Sequence, residues 1–232
     1  MTAEQLGGQF SPIITPDIAP ISPVSQEMEL KPSIGVALLI IGFDPRRNGD
    51  NESDPLIWTI TELQAKSETE KRPGEISIPA ETKKVGEDRM TNVLGALAEF
   101  CDDNAIPNLT GKLFMVDTLY REKGIIIKNN PVDLAVLVYN GPLDIPLVPE
   151  SFAEVRANGW INRNRIRRMD NVRSVLAQAI ELDMAEGITG RAIEAYYNNS
   201  GIVKVFSPEF SMKSFYAQRE NLPDVPIYPR VK

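Results

Sequence analysis

Uninterrupted apolar stretches along the chain predict strands that are buried on both faces. Residues 34–43 are apolar throughout and have the length of a strand, a pattern typical of the centre of a sheet covered on both sides. Residues 56–63 are rich in β-branched and aromatic side chains, so we expect them to form the neighbouring strand. Further strands are predicted at residues 76–78, 113–119, 124–128 and 132–139, around Trp160 and Ile161, and at residues 202–206.

Four other segments carry apolar residues at helical spacing. The first starts at Glu87 or Asp88, and Asp88 is its expected N-cap because an acidic side chain suits the positive end of a helix. We expect its apolar face to pack on the sheet; that face consists of Met90, Val93, Leu94, Leu97 and Cys101. Asn92, Ala96 and Glu99 fall on the opposite face, which we expect to be solvated. The other helices are predicted at residues 170–184, 187–199 and 211–220.

Proline content separates the two ends of the chain from its centre. Residues 1–33 contain repeated prolines and no lasting apolar period, which predicts an extended N-terminal arm. Two interpretations of this arm stay open: a loose tail, or a segment whose isoleucines pack on the domain or on a partner. We predict a central domain at residues 34–184. Residues 185–232 are a C-terminal extension with a helix, a short strand and a tail that contains prolines.

Composition is that of a globular protein: the 232 residues are 42% hydrophobic and 25% charged, with a formal charge of −7. No apolar run approaches the roughly 20 residues that span a bilayer, and residues 1–10 lack the features of a secretory signal. We therefore expect a cytoplasmic protein with no membrane partner. The negative charge argues against general coating of nucleic acid, so we do not expect nucleic acid as a partner.

The absence of histidine narrows the available chemistry. It removes Ser-His-Asp and Cys-His catalysis together with histidine metal sites. A single cysteine, Cys101, excludes an intrachain disulfide and a thiolate-rich zinc site. Its position on the apolar side of a predicted helix indicates a buried structural thiol. Any chemistry must use carboxylates, lysines, tyrosines, hydroxyls or a carboxylate-bound metal.

Residues 72–103 combine a short apolar strand, a charged loop and the first predicted helix. This layout resembles the strand–loop–helix motif of the Nudix family, the Mg-dependent hydrolases of nucleoside diphosphates linked to another group. The Nudix box reads Gly, five residues, Glu, seven residues, Arg-Glu-apolar, any residue, Glu-Glu, any residue, Gly-apolar. Three positions match, at Glu87, Leu97 and Glu99. The other positions depart: Glu81 replaces a glycine, Gly95 the arginine, Ala96 and Phe100 two glutamates, and Asp102-Asp103 the closing pair.

Two further patterns support the resemblance. Residues 73–79 are similar to a run in the coenzyme A pyrophosphatase branch of the family, although Ala80 and Glu81 replace two glycines. Residues 154–161, followed by a long amphipathic helix, are similar to the usual ending of a Nudix domain. The resemblance covers about residues 34–184 and implies a Nudix-like α/β/α sandwich with a mixed sheet.

The departures from the box bear on activity. In the family, the helix glutamates hold Mg, which bridges the substrate diphosphate and activates water. Ala96 and Phe100 offer no oxygen, so we expect no cofactor and interpret the protein as a pseudoenzyme that binds a ligand or partner. Glu87 and Glu99 would then be dispensable. The alternative is a Mg-dependent hydrolase of a nucleoside diphosphate-linked substrate, with a rearranged metal site at Glu87, Glu99, Asp102 and Asp103. A third hypothesis is an accessory subunit of a larger assembly, and an oligomer is compatible with the sequence.

Arginines are concentrated around the predicted Trp160 strand and the residues after it, at Arg156, Arg163, Arg165, Arg167, Arg168 and Arg173. Arginine forks suit phosphate and carboxylate groups. We therefore hypothesise that Arg163, Arg165 and Arg168 bind an anionic small molecule or a protein partner; the competing interpretation is an ordinary charged surface. Separately, Gly95 next to Ala96 would let another protein element or a non-phosphate ligand approach the helix backbone closely.

Overall fold

The computed structural model of the chain describes residues 31–42, 55–63, 72–98, 100–101, 103–143, 151–152 and 155–226. In chain order the described strands are β1 (Gly35–Gly42), β2 (Leu56–Glu62), β3 (Ile76–Ser77), β4 (Ala80–Thr82), β5 (Leu113–Val116), β6 (Arg121–Ile127), β7 (Asn130–Tyr139), β8 (Ser151–Phe152), β9 (Val155–Asn162) and β10 (Ile202–Lys204). The helices are α1 (Arg89–Ala98), α2 (Ile106–Leu109), α3 (Arg163–Ile166), α4 (Ser174–Glu186), α5 (Ile188–Tyr197) and α6 (Met212–Arg219), with a 3-10 turn at Asp117–Leu119.

These strands form one mixed sheet with β1 at its centre. The order along the sheet is β10-β5-β7-β1-β2-β9-β8, while β3 pairs with β2, β4 with β1 and β6 with β7. β1 and β7 run parallel from the pair Gly35 and Val132 to the pair Gly42 and Tyr139, and the other pairs are antiparallel. The predicted central strand, its neighbour and the mixed sheet are thereby confirmed.

Alternation along the central strands creates two cores, one on each face of the sheet. In β1 the side chains of Val36, Leu38 and Ile40 enter the first core, and those between them enter the second. The first core is closed by α1, α2 and α6, and the second by α4 and α5. A strand covered on both sides can be continuously apolar, which explains the sequence of residues 34–43. The predicted α/β/α sandwich is confirmed.

The C-terminal extension contributes to both cores. In α5, Ile188 and Ala192 are buried in the second core, whereas Phe206 and Met212 are buried in the first. β10 adds a strand to the sheet by pairing with β5. Gly187 has φ +63°, a left-handed conformation that suits glycine, and it ends α4 at the point where α5 begins.

Short elements account for most differences from the sequence prediction. α2, α3 and β4 were not predicted, residues 117–119 form a 3-10 turn where a strand was predicted, and α4 begins at Ser174 rather than residue 170. Elements of two to four residues owe their stability to packing, so their own sequence carries little signal. The predicted N-terminal arm lies outside the described residues except for its last three. In the described part of the chain, no helix has both the length and the apolar character needed to cross a membrane.

Candidate functional site

The helix that carries the box positions starts where the sequence predicted. The carboxylate of Asp88 accepts a hydrogen bond of 2.7 Å from the amide of Thr91, in the first turn of α1. Hydrogen bonds to the backbone and side chain of Thr91 hold the pKa of Asp88 below its usual value. Asp88 is therefore the N-cap, and as a carboxylate it complements the positive end of the helix.

The face of α1 that was predicted to be solvated is buried instead. Asn92 is 2% exposed, and Ala96 is fully buried. Phe100, at a position where the box has a glutamate, is buried with its ring edge-on to Trp58 at 6.2 Å between centroids. The expectation of a solvated face was wrong for Asn92 and Ala96. Ala96 is covered because α6 packs against α1 and its Met212 shares the first core with Ala96. Such coverage depends on residues more than 100 positions away, which local periodicity cannot show.

Glu87, which occupies the first glutamate position of the box, is a buried partner of Arg219. Its side chain is 1% exposed. Its Oε1 accepts a hydrogen bond of 2.7 Å from Nε of Arg219, and its Oε2 accepts one of 2.9 Å from the amide of Lys84. The Arg219 guanidinium also donates to the carbonyl of Thr82 at 2.8 Å and lies 3.5 Å from the carboxylate of Glu81. Both oxygens of Glu87 are therefore engaged by protein donors.

The other acidic candidates do not join Glu87 in a described cluster. The carboxylate of Asp103 accepts a hydrogen bond of 2.6 Å from the amide of Met212, at the first residue of α6. Arg219 is the last residue of α6, so Asp103 and Glu87 contact opposite ends of a helix about 10 Å long. Glu99 and Asp102 lie outside the described residues. Within the described ranges, no three or more carboxylates or thiols are grouped so that they could hold a metal ion.

Gly95 leaves the space that Arg219 fills. A Cβ atom added to Gly95 would lie 2.6 Å from both Cζ and Nε of Arg219. The sequence left open whether a protein element or a ligand approaches the helix backbone at Gly95 and Ala96. The structure shows that a protein element does. Arg219 is the residue that sequence reasoning missed. Nothing local could have linked it to Glu87, because the two lie 132 positions apart.

A cavity of about 490 Å³ opens beside the start of α1, and its wall includes a network centred on Asp133. Asp133 is 1% exposed. Its carboxylate accepts hydrogen bonds from the hydroxyl of Tyr120 at 2.6 Å and from the amide of Lys123 at 2.9 Å, and it forms an ion pair with Lys83. The guanidinium of Arg89 lies 4.8 Å from the centroid of the Tyr120 ring, at the cavity wall.

The network fixes the protonation states of its members. Burial acts to raise the pKa of Asp133, but the hydrogen bonds from Lys83, Tyr120 and the Lys123 amide outweigh it and hold this pKa below the usual value. Burial, and then the hydrogen bond to Asp133, raise the pKa of Tyr120. At neutral pH Asp133 is therefore a carboxylate, and Tyr120 is a neutral phenol that donates a hydrogen bond to it.

The arginine cluster divides into internal and exposed members. Arg163 donates to the buried carboxylate of Asp183 at 2.9 Å, and Arg173 forms a buried ion pair with Glu62 at 2.8 Å. Arg165 and Arg168 are exposed and form no ion pair with another described residue, and the same holds for Arg167. Two of the three arginines proposed as ligand-binding are thus accessible, and Arg163 already has a protein partner. Anion binding by this cluster stays a prediction.

Comparison with known proteins gives a likeness in fold only. No protein-family model matches the chain, and no curated protein matches it. Among solved structures, it is similar to a Nudix hydrolase of M. smegmatis, RenU, at 10% identity and a TM-score of 0.44, over 68% of this chain and 87% of that one. It is also similar to the MutT protein of Methanosarcina mazei, at 15% identity and a TM-score of 0.41, over 68% and 97% of the two chains. A MutT/nudix family protein of Enterococcus faecalis has 9% identity and a TM-score of 0.38, over 81% and 80%.

Proposed function

We propose that this Nudix-like chain works by binding a ligand or a partner protein and does not hydrolyse nucleoside diphosphate derivatives. The observation that carries the proposal is that Ala96 and Phe100, which stand at two glutamate positions of the box, are both buried and offer no oxygen. Mg²⁺ is held through oxygen lone pairs. Glu87 keeps its place in the box, and its two oxygens accept hydrogen bonds from Arg219 and from the amide of Lys84. In a rearranged acidic site, Glu99 and Asp102 would have to hold the metal, and Glu87 would not be a ligand in its present position.

The proposal predicts negligible Mg-dependent turnover of ADP-ribose, NADH and coenzyme A. Phosphoanhydride hydrolysis needs metal charge placed against the diphosphate oxygens and an activated water. The measurement is product release with and without Mg²⁺, on protein purified away from host hydrolases. Turnover that disappears in Glu99→Gln but persists in the control Glu181→Gln, an exposed glutamate of α4, would establish the rearranged acidic site instead. Glu87→Gln is unsuitable here, since loss of the Arg219 ion pair would lower stability; the expectation that Glu87 is dispensable does not fit its burial.

The exposed arginines are the part of the proposal that concerns the ligand. Arg165 and Arg168 are exposed and form no ion pair with another residue that the structure describes, on a chain whose formal charge is −7, which suits an anionic small molecule or an acidic surface of a partner. The first measurement is thermal shift with ADP-ribose, coenzyme A and inorganic pyrophosphate, each with and without Mg²⁺. Co-purification from native cells tests for a protein partner or a larger assembly.

Charge reversal tests whether the arginines take part. In Arg165→Glu/Arg168→Glu, the shift caused by any compound that stabilises the wild type should fall, and its salt dependence should flatten because fewer charged contacts are screened. The control Lys204→Glu/Lys213→Glu changes the net charge equally at two exposed lysines and should keep the wild-type shift. Equal shifts in both double variants would leave the arginines as an ordinary charged surface.

A further inference from the structure

The guanidinium of Arg219 occupies a buried position surrounded by acceptor groups of the protein. The side chain is 6% exposed although it comes from the last residue of a surface helix. It lies against the backbone of α1 at Gly95 and is held by Glu87, Glu81 and the carbonyl of Thr82. Gly95 is the position at which the Nudix box has its arginine, which in the family supports the glutamates by charge pairing.

We propose that Arg219 has taken over the role of the missing box arginine, and that residues 212–225 are a latch that holds the loop of residues 82–88 against α1. The backbone of residues 212–225 also forms hydrogen bonds with the loop of residues 82–88. The amide of Val85 donates to the carbonyl of Pro223, and the amide of Val225 donates to the carbonyl of Lys83, each at 2.8 Å. Lys84 and Asp224 form an ion pair of 2.7 Å between these two bonds. This inference is independent of the proposed function, because it holds whether or not the protein is a hydrolase.

If the latch exists, the effect on stability of replacing Gly95 depends on whether Arg219 is present. With Arg219 in place, a methyl group at residue 95 would lie 2.6 Å from the guanidinium, which must then shift and weaken its bonds to Glu87 and Thr82. Without Arg219 that obstacle is gone, and alanine is a better helix former than glycine. The same substitution should therefore have opposite signs in the two backgrounds.

The experiment is a thermal-unfolding cycle of the full chain with Gly95→Ala, Arg219→Ala and the double variant. Arg219→Ala should lower Tm by roughly 10 °C, because it leaves the buried carboxylate of Glu87 without its guanidinium partner. Gly95→Ala should lower Tm in the wild type but raise it by about 2–4 °C in the Arg219→Ala background. A change of the same sign in both backgrounds would overturn the proposal. If Arg219→Ala does not fold, Arg219→Lys serves in the same cycle, since lysine lacks the planar fork.

A second test moves the arginine from position 219 to position 95. Gly95→Arg in the Arg219→Ala background should restore part of the lost Tm, because it returns a guanidinium to the box position beside Glu87. Hydrogen exchange at the amides of Val85 and Val225 should accelerate in Arg219→Ala and stay unchanged in Arg191→Ala, which removes an exposed arginine of α5. The proposal would be wrong if Gly95→Arg did not raise the Tm of Arg219→Ala. It would also be wrong if amide exchange accelerated equally in Arg191→Ala.

Discussion

Replacing Asp133 by alanine is expected to lower the free energy of unfolding by about 3–5 kcal/mol, the usual cost of breaking a buried ion pair from one side. The substitution leaves three donors without their acceptor: the Lys83 ammonium group, the Tyr120 hydroxyl and the Lys123 amide. Asp133 lies in β7, next to the central strand, and is 1% exposed, so the substitution removes a buried acceptor from these donors. Chemical denaturation at neutral pH measures the loss, and the exposed Asp170→Ala is the matched control.

The pH dependence of the unfolding free energy distinguishes the contribution of the charge of Asp133 from that of its shape. Because the pKa of Asp133 is lower in the folded protein than in an unfolded chain, its contribution is present above about pH 4 and is lost as the pH falls below that value. Asp133→Asn keeps the shape and carries no charge. The difference in unfolding free energy between wild type and Asp133→Asn should therefore narrow from pH 7 to pH 3. A difference that is constant over this range would show that the carboxylate charge does not contribute.

Replacing Leu94 by alanine is expected to cost about 2–5 kcal/mol, the range for truncation of a buried leucine. Leu94 is 9% exposed and belongs to the first core, together with Val93 and Leu97 of the same helix. Truncation removes buried apolar surface and leaves a cavity that the surrounding β-sheet and helices cannot fully close.

Denaturant unfolding of Leu94→Ala can be compared with that of Leu222→Ala. Leu222 is 40% exposed, so the same chemical change should have a small effect there. A loss well below 1 kcal/mol at Leu94 would show that this side of α1 is not core.

Long elements with a strong pattern were predictable. The continuous apolar run of residues 34–43 could be stable only as a strand covered on both faces, and β1 occupies that place. The N-cap of α1 was predictable because the capping interaction joins Asp88 to Thr91, three residues away. The burial of Cys101 was predicted from helical spacing, and Cys101 is 3% exposed although α1 ends at Ala98.

The candidate site was only partly predictable. Sequence comparison with the box identified Glu87 and Gly95 as positions of interest, and it showed what the box lacks at Gly95, Ala96 and Phe100. It did not predict that the carboxylate of Glu87 is buried. Burial of a carboxylate requires a partner, and that partner is supplied by a helix 132 positions later in the chain.

Four features could be predicted from the amino-acid sequence: the α/β class, the central strand, the start of the box helix and the restriction of chemistry to groups other than histidine. Each of these depends on local periodicity, local capping or composition. The folded arrangement was needed to show that the C-terminal residues contribute to both cores, that Asp133 accepts from three donors, and that Arg219 takes the space left by Gly95. The physical reason is that these contacts join residues far apart in the chain, and the pairing of buried charges is fixed by packing rather than by spacing along the sequence.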